Sequence, residues 1–278
     1  MKNLLNYLLI ILLTISSCKK EEDITSLGTN NTFSPTIMTS LRGIVLDNNM
    51  DPISGVNVSI EGNLVATSSK GLFSYNNINT SGNRSLITFN KAGYFETSRA
   101  VEPKNDVANY VRIVMDEKQI DGAFDSNDGL NLTHNGISLN LPSNSYSYSD
   151  GSTYYGDINV SVNKISPDGP NFSMRVPGGD LRATRTNGDD QSLYSYGMVD
   201  IVLTDDNGES INTTAGSSTE IRMPIADNML ADAPNTIPLW HYDDLTGIWV
   251  EEGVATKSGN EYIGNVSHFS YWNWGNRR

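Results

Sequence analysis

The 278-residue chain has one cysteine, three histidines, too few basic residues to balance its acids, and no apolar run of the roughly 20 residues that a membrane-spanning helix needs. Each shortage excludes something. A single thiol forms no internal disulfide and leaves too little sulfur for a cysteine-rich zinc site. With 19 Lys and Arg against 32 Asp and Glu, a net charge of −13, the chain lacks the basic footprint that phosphate backbones require, and no nucleic-acid partner is expected. The histidines His134, His241 and His268 are followed by NGIS, YDDL and FSYW, so none has a Glu at the helical spacing of a zinc peptidase. No G-x-S-x-G and no phosphate-cradling glycine loop occurs either. On these grounds no catalytic residue and no metal site is assigned. What is abundant is aromatic: 13 Tyr, 7 Phe and 4 Trp, with 37% hydrophobic residues, are too many for a disordered chain, and the length allows one or two domains.

The N-terminus reads MKNLLNYLLIILLTISSC, with Lys2 its one charge and a largely apolar run from Leu4 to Ile15. That length fits the apolar region of a signal peptide. The tetrapeptide Ile15-Ser16-Ser17-Cys18 resembles a bacterial lipobox, which implies a signal peptide over 1–17 and covalent diacylglycerol and fatty acyl on Cys18. The membrane is then a partner through the lipid alone. Lys19-Lys20-Glu21-Glu22-Asp23 resembles the export signal that sends Bacteroidetes lipoproteins to the outer face of the outer membrane; a solvated charge run facing the periplasm is the other reading. Residues 18–39 read as a flexible tether, polar and turn-rich, and about 20 such residues reach roughly 25 Å.

From residue 40 onward short alternating runs recur between Gly, Asn, Asp and Pro, the period of strands rather than helices. Strands are expected at Gly43–Leu46, Val56–Glu61, Ser85–Asn90, Val111–Met115, Ile137–Leu141, Asp157–Val162, Met198–Leu203, Glu220–Met223, Gly247–Glu251 and Ser267–Trp274. The fold class is all-β, in two units of 40–117 and 118–278 that fold separately.

In the first unit Gly43, Val45 and Asp47, then Pro52 and Gly55-Val56, then Lys70-Gly71 with Phe73, and Gly93-Tyr94 carry a resemblance to the carboxypeptidase regulatory-like domain. That resemblance implies a transthyretin-like seven-stranded β-sandwich. Asp51 stands where the family has Gly, and Ser68 and Ser69 where it has an acid, which removes the acids of a cation site. In the second unit the stretches Gly136 to Pro142, Tyr196-Gly197-Met198 and Trp240 to Phe269 resemble an extracellular β module and, more distantly, the domain shared by ankyrins and netrin receptors. A second β-sandwich is implied.

Several clusters have both a functional and a structural reading. All four tryptophans fall after residue 239, and most are expected in the core; Trp240, Tyr242 and Trp249, neighbours across a hairpin, are the candidates for exposed ligand contact. Tyr146, Tyr148, Tyr154 and Tyr155 lie in a Ser-, Gly- and Asn-rich segment with the composition of an adaptable recognition loop, or else form a half-buried hairpin. Asp121, Asp125, Asn127 and Asp128, and Asn187 with Asp189 and Asp190, could offer oxygens to Ca²⁺ but lack the spacing of a calcium loop, so solvated turns are expected. His268-Phe269-Ser270 resembles the His-Phe-Ser site of self-cleaving β modules, which implies attack by the Ser270 hydroxyl on the Phe269 carbonyl with His268 assisting. The alternative reading leaves the bond intact, with Phe269 and Tyr271 packed inward and His268 and Ser270 partly solvated on the last strand.

The expected function is a non-catalytic, surface-exposed lipoprotein that binds a protein or glycan, adheres or serves as a scaffold. Self-processing between Phe269 and Ser270 is the alternative.

Overall fold

A computed structural model describes residues 35–105 and 107–278. The signal segment, Cys18, the Lys19–Asp23 run and most of the tether lie outside the described residues. Residues 34–278 form one compact unit.

The chain enters β1 (Thr36–Leu46) four residues before residue 40, the expected start of the folded part. Thr39 explains the earlier start: it is buried, its hydroxyl donates to the Lys104 carbonyl at 2.9 Å, and it accepts from Asn109 Nδ2 at 2.7 Å. There follow β2 (Asn57–Ile60), β3 (Asn63–Ala66), β4 (Leu72–Ser81), β5 (Ser85–Asn90), β6 (Thr97–Val101) and β7 (Ala108–Val114). They make two sheets, β4-β1-β7 and β3-β2-β5-β6. Alternate residues point inward as the period of two requires. Leu41, Val45, Phe73, Tyr75, Val111 and Ile113 of one sheet meet Val58, Ile60, Ile87 and Phe89 of the other, a seven-stranded β-sandwich with its own core. Gly71 turns the chain between β3 and β4 at φ +68°, where a Cβ would come within 2.5 Å of the Val45 carbonyl oxygen.

The second half runs β8 (Gly122–Asp125), β9 (Leu130–His134), β10 (Ile137–Leu141), β11 (Tyr146–Tyr148), β12 (Asp157–Ile165), a single turn of helix α1 (Phe172–Arg175), β13 (Arg182–Thr184), β14 (Asp190–Thr204), β15 (Ser210–Thr213) and β16 (Thr219–Pro224). After a 3₁₀ turn come β17 (Thr236–Asp243), β18 (Ile248–Ser258), β19 (Glu261–Val266) and β20 (Tyr271–Arg277). These thirteen strands form one hydrogen-bonded sheet that folds over, so that strands from both ends of it line a common core. Among the described residues no helix is long and apolar enough to cross a membrane.

Strands β14, β17 and β20 lie side by side and are buried on both faces. One face sends Val199, Ile201, Leu239, Trp272 and Trp274 into the large core. The other sends Met198, Trp240, Tyr242 and Tyr271 into a second cluster, closed by Val176, Ala183, Leu193 and Trp249. The last strand thus begins at Tyr271 rather than Ser267, and residues 267–270 form a bend ahead of it. One solvent face was expected there; β20 has none over Tyr271–Gly275.

The outer cluster sits against the first sandwich. Tyr242 and Ser98 share a hydrogen bond of 2.5 Å between their hydroxyls, and the Tyr271 hydroxyl donates to the Glu96 carbonyl at 2.9 Å. The loop at Gly178 extends β6 by a strand-like bridge: Ala100 N donates to Gly178 O at 3.0 Å and Gly178 N to Ser98 O at 3.1 Å. Beside it, Arg99 crosses so closely over Gly179, at φ +81°, that a Cβ there would lie 1.8 Å from its Nη1. Arg84 completes this side, paired with Asp180 and donating to the Gly247 carbonyl at 2.6 Å.

On the other side, Asp116 lies two residues past the end of β7 and is 6% exposed. It accepts from Asn48 Nδ2 at 2.7 Å, Asn163 Nδ2 at 2.9 Å and Arg175 Nε at 3.1 Å, while Arg175 Nη2 lies 2.8 Å from its other oxygen. Arg175 comes from α1 and Asn163 from β12, so this carboxylate joins the two halves. Removing one partner of a buried ion pair leaves the other charge desolvated and typically costs about 3–5 kcal/mol. Asp116→Ala is therefore expected to lower stability by an amount of that order, read as a fall in the urea midpoint.

Candidate functional site

Two crevices flank the junction. The first, of about 410 Å³, is lined by Asp47, Asn49, Asp116, Asp121, His134 and Arg175 among others. Its aspartates are committed to local structure: Asp47 Oδ1 accepts from the amides of Asn49 and Asp51, both at 2.8 Å, and Asp121 Oδ2 from the Val162 amide at 2.7 Å. The second crevice, of about 470 Å³, is lined by Lys91, Tyr94, Glu96 and Lys118 from one side and Asp200, Asp244, Ser270 and Tyr271 from the other. It holds the most perturbed carboxyls. Burial, then repulsion from Asp244, pushes Asp200 from its ordinary 3.8 up to about 8, with Lys118 pulling the other way. Burial, then Glu96 and Asp243, pushes Asp244 up to about 6.

A third constellation joins residues far apart in the sequence. His241 on β17 pairs with Val250 across one ladder and with Trp272 across the next. Glu252, two residues beyond Val250, is its diagonal neighbour, within reach of a long side chain. His268, in the bend before β20, closes the group, and the reactive atoms of His241, Glu252 and His268 all lie within 4.8 Å of one another. His241 Nδ1 is 2.9 Å and His268 Nε2 3.5 Å from the same oxygen, Glu252 Oε2. The other oxygen, Oε1, accepts from the Ser267 hydroxyl. Trp272 braces both rings, at centroid distances of 5.7 Å from His241 and 5.0 Å from His268. Burial, and then the neighbouring His268, hold the His241 imidazole below its ordinary range. Burial alone would raise Glu252, but Ser267 and the two imidazoles outweigh it and leave the carboxyl below its usual range.

The expected ligand-contact residues divide. Trp240, Tyr242 and Trp249 are 1%, 3% and 1% exposed, which corrects the expectation that this hairpin is open to solvent. The hairpin does form, with Tyr242 opposite Trp249, but its rings face the outer cluster, which α1, β13 and the first sandwich cover. Tyr146 and Tyr154 are likewise core: Tyr146 packs edge-on to Phe124, and the Tyr154 hydroxyl donates to the Asp157 carbonyl at 2.6 Å. Tyr148 is half-buried against Tyr154, and Tyr155 stands out at 71% exposed. The segment is a hairpin-like turn against β15 rather than a free recognition loop.

The acidic runs close turns. Asp125 Oδ1 accepts from the Asn127 amide and side chain at 2.9 and 2.7 Å, while Asp190 takes Arg182 and Thr184, both at 2.9 Å. At His268-Phe269-Ser270, the Ser270 hydroxyl is 3.4 Å from His268 Nδ1. Phe269 is held on both sides of its backbone by Asn212, its amide donating to Oδ1 at 2.9 Å and its carbonyl accepting from Nδ2 at 3.4 Å. None of the three residues has a positive φ. Cys18 lies outside the described residues.

No family model matches the chain. Cartilage intermediate layer protein 1 of Sus scrofa is 30% identical over 120 residues, which is 41% of this chain and 19% of that protein. The human protein of the same name is 30% identical over 122 residues, 41% of this chain and 10% of that one. The chain thus spans less than a fifth of the length of these relatives. Among solved structures, a Bacteroides fragilis protein of unknown function, proposed to be membrane-associated, is 9% identical with a TM-score of 0.25, covering 87% of this chain and 98% of that one. The major pilin subunit BcpA of Bacillus cereus is 10% identical with a TM-score of 0.24, covering 85% of each chain. Similarity at that level carries no functional argument.

The second crevice makes a pH dependence testable. In the folded state Asp200 keeps a proton that the unfolded chain releases near 3.8, so its contribution to stability is complete below that pH and is lost as pH rises through about 8. Asp200→Asn cannot ionise. Thermal melts between pH 5 and pH 8 are expected to show a stability loss in the unsubstituted protein that is much smaller in the variant. Equal slopes would remove Asp200 as the cause.

Proposed function

We propose that the protein is a non-catalytic cell-envelope lipoprotein that presents two separately folding and then docked β units as a surface binding, adhesion or scaffold module. The observation that carries this reading is the placement of the chain's only thiol, Cys18, at the end of a short apolar run behind Ile15-Ser16-Ser17. Acylation gives that thiol an anchoring role. The strands support the same reading, since β1 begins at Thr36 and leaves a short polar segment between lipid and fold. The core drawn from Leu41–Met115 shares no residue with the two clusters drawn from Phe124–Trp274. Lys19–Asp23 directs the protein to the outer face of the outer membrane, and its ligand is a protein or a glycan. Of the expected ligand-contact residues Tyr155 alone is fully exposed, since Tyr148 is half-buried and Trp240, Tyr242, Trp249, Tyr146 and Tyr154 are buried.

The Phe269–Ser270 bond stays intact in this reading. Cleavage needs a strained peptide, a cost of about 1–3 kcal/mol held by the surroundings, and the backbone at 268–270 avoids the left-handed region. Cutting there would release β20, whose Trp272 and Trp274 are fully buried.

Mass spectrometry of the protein extracted from membranes examines both ends. An N-terminal lipopeptide beginning at Cys18 and an unbroken C-terminus are expected, and protease shaving of intact cells should degrade the mature chain. Membrane attachment that survives Cys18→Ala would overturn the anchor. Complete protection from protease would move the protein to the periplasm. A species ending at Phe269 and abolished by Ser270→Ala would make self-processing the correct reading.

A further inference from the structure

We propose that His241, Glu252 and His268 bind one divalent transition-metal ion, Zn²⁺ foremost, through His241 Nδ1, Glu252 Oε2 and His268 Nε2, with a fourth position open to water.

Donor chemistry argues first. Two imidazoles and a carboxylate form a borderline nitrogen and oxygen set that suits Zn²⁺ better than Ca²⁺ or Mg²⁺, which prefer all-oxygen shells. Spacing agrees. Zinc bonds of about 2.0–2.2 Å in a tetrahedron put neighbouring ligand atoms about 3.3–3.5 Å apart. The contacts of 2.9 and 3.5 Å to Glu252 Oε2 bracket that range, so a small change at one side chain opens room for the ion.

The outer partners are also in place. Metal-binding histidines and carboxylates have their second atoms held by hydrogen bonds that fix orientation. Here Ser267 holds Glu252 Oε1, which turns Oε2 toward the two rings. Ser270 lies 3.4 Å from His268 Nδ1, the nitrogen left over when Nε2 takes the metal, and Trp272 Nε1 donates to the His268 carbonyl at 3.0 Å. His241 Nδ1 supplies an independent sign. It is buried and makes no hydrogen bond that meets the geometric criteria, although Glu252 Oε2 is 2.9 Å away. A buried polar atom without a partner is costly, and a metal ion at the junction satisfies it.

The side chains of His241, Glu252 and His268 are 21%, 38% and 34% exposed, so the cluster lies at the margin of the core with part of each side chain open to solvent. The ion cross-links β17, β18 and the bend before β20. It also fixes the hydrogen of His268 on Nδ1, which takes from Ser270 the base that self-cleavage would need.

The test uses the full chain, stripped of metal by a chelator and titrated with Zn²⁺ by calorimetry. One equivalent is expected to bind and to raise the melting temperature. His241→Gln, Glu252→Gln and His268→Gln should each weaken binding by more than the roughly 10–100-fold that outer-shell changes cost. His134→Gln, at the histidine beside Asp121, should leave it unchanged. Histidine ring resonances of the unsubstituted protein give a readout free of folding defects: Zn²⁺ should shift two imidazoles and leave the third in place. No binding at micromolar Zn²⁺, binding indifferent to the three substitutions, or a shift at His134 in place of the other two would each overturn the site.

Discussion

The buried carboxylate of Asp116 depends on partners from both halves of the chain, and much of the remaining architecture depends on it in turn. An ion removed from water is tolerated when its charge and its remaining lone pairs are met. Asn48 meets it from the first sandwich, and Asn163 and Arg175 from the second half. Such an arrangement holds only in one relative placement. That placement brings β6 against the Gly178 loop on the opposite side and leaves a polar crevice on each flank.

Docking completes the cover over the tyrosines of the outer cluster, while α1 and β13 pack with its tryptophans. Without the first sandwich the outward face of β14, β17 and β20 would lose Ser98 and Glu96, the partners of Tyr242 and Tyr271. Here α1, β13 and the first sandwich cover that face. Three of the rings have their polar atoms satisfied locally, Trp240 Nε1 by the Gly275 carbonyl at 2.8 Å, Tyr242 by Ser98 and Tyr271 by the Glu96 carbonyl. Aromatic residues with one polar atom suit such a seam, because they bring large apolar area and a directional contact together.

What was legible in the sequence followed strand period and local turn chemistry. Ser85–Asn90 and Ile137–Leu141 are strands with the expected bounds, because each alternates cleanly between a core face and a wetter one. Gly71 sits at a positive φ, the permissive backbone expected of a glycine at that turn. Period fails where both faces are buried. Tyr271 to Gly275 carry no alternation of exposure, so neither the start of β20 nor the burial of Trp240 could be read from spacing. The His241, Glu252 and His268 group was missed for another reason. A helical motif has a fixed spacing, whereas a site assembled across two strands and a bend has none. Its one sequence-level trace is the hairpin through Asp243–Gly247, which sets His241 and Glu252 diagonal to each other once the register is known.

The two halves are docked through specific hydrogen bonds rather than merely tethered. Hydrogen exchange at the amides of Ala100 and Gly178, which bond across the junction, reads this most directly in the intact protein. If the halves are docked as described, both amides exchange as slowly as core amides such as that of Ile87. Exchange at the rate of exposed loop amides, with both cores still protected, would contradict it.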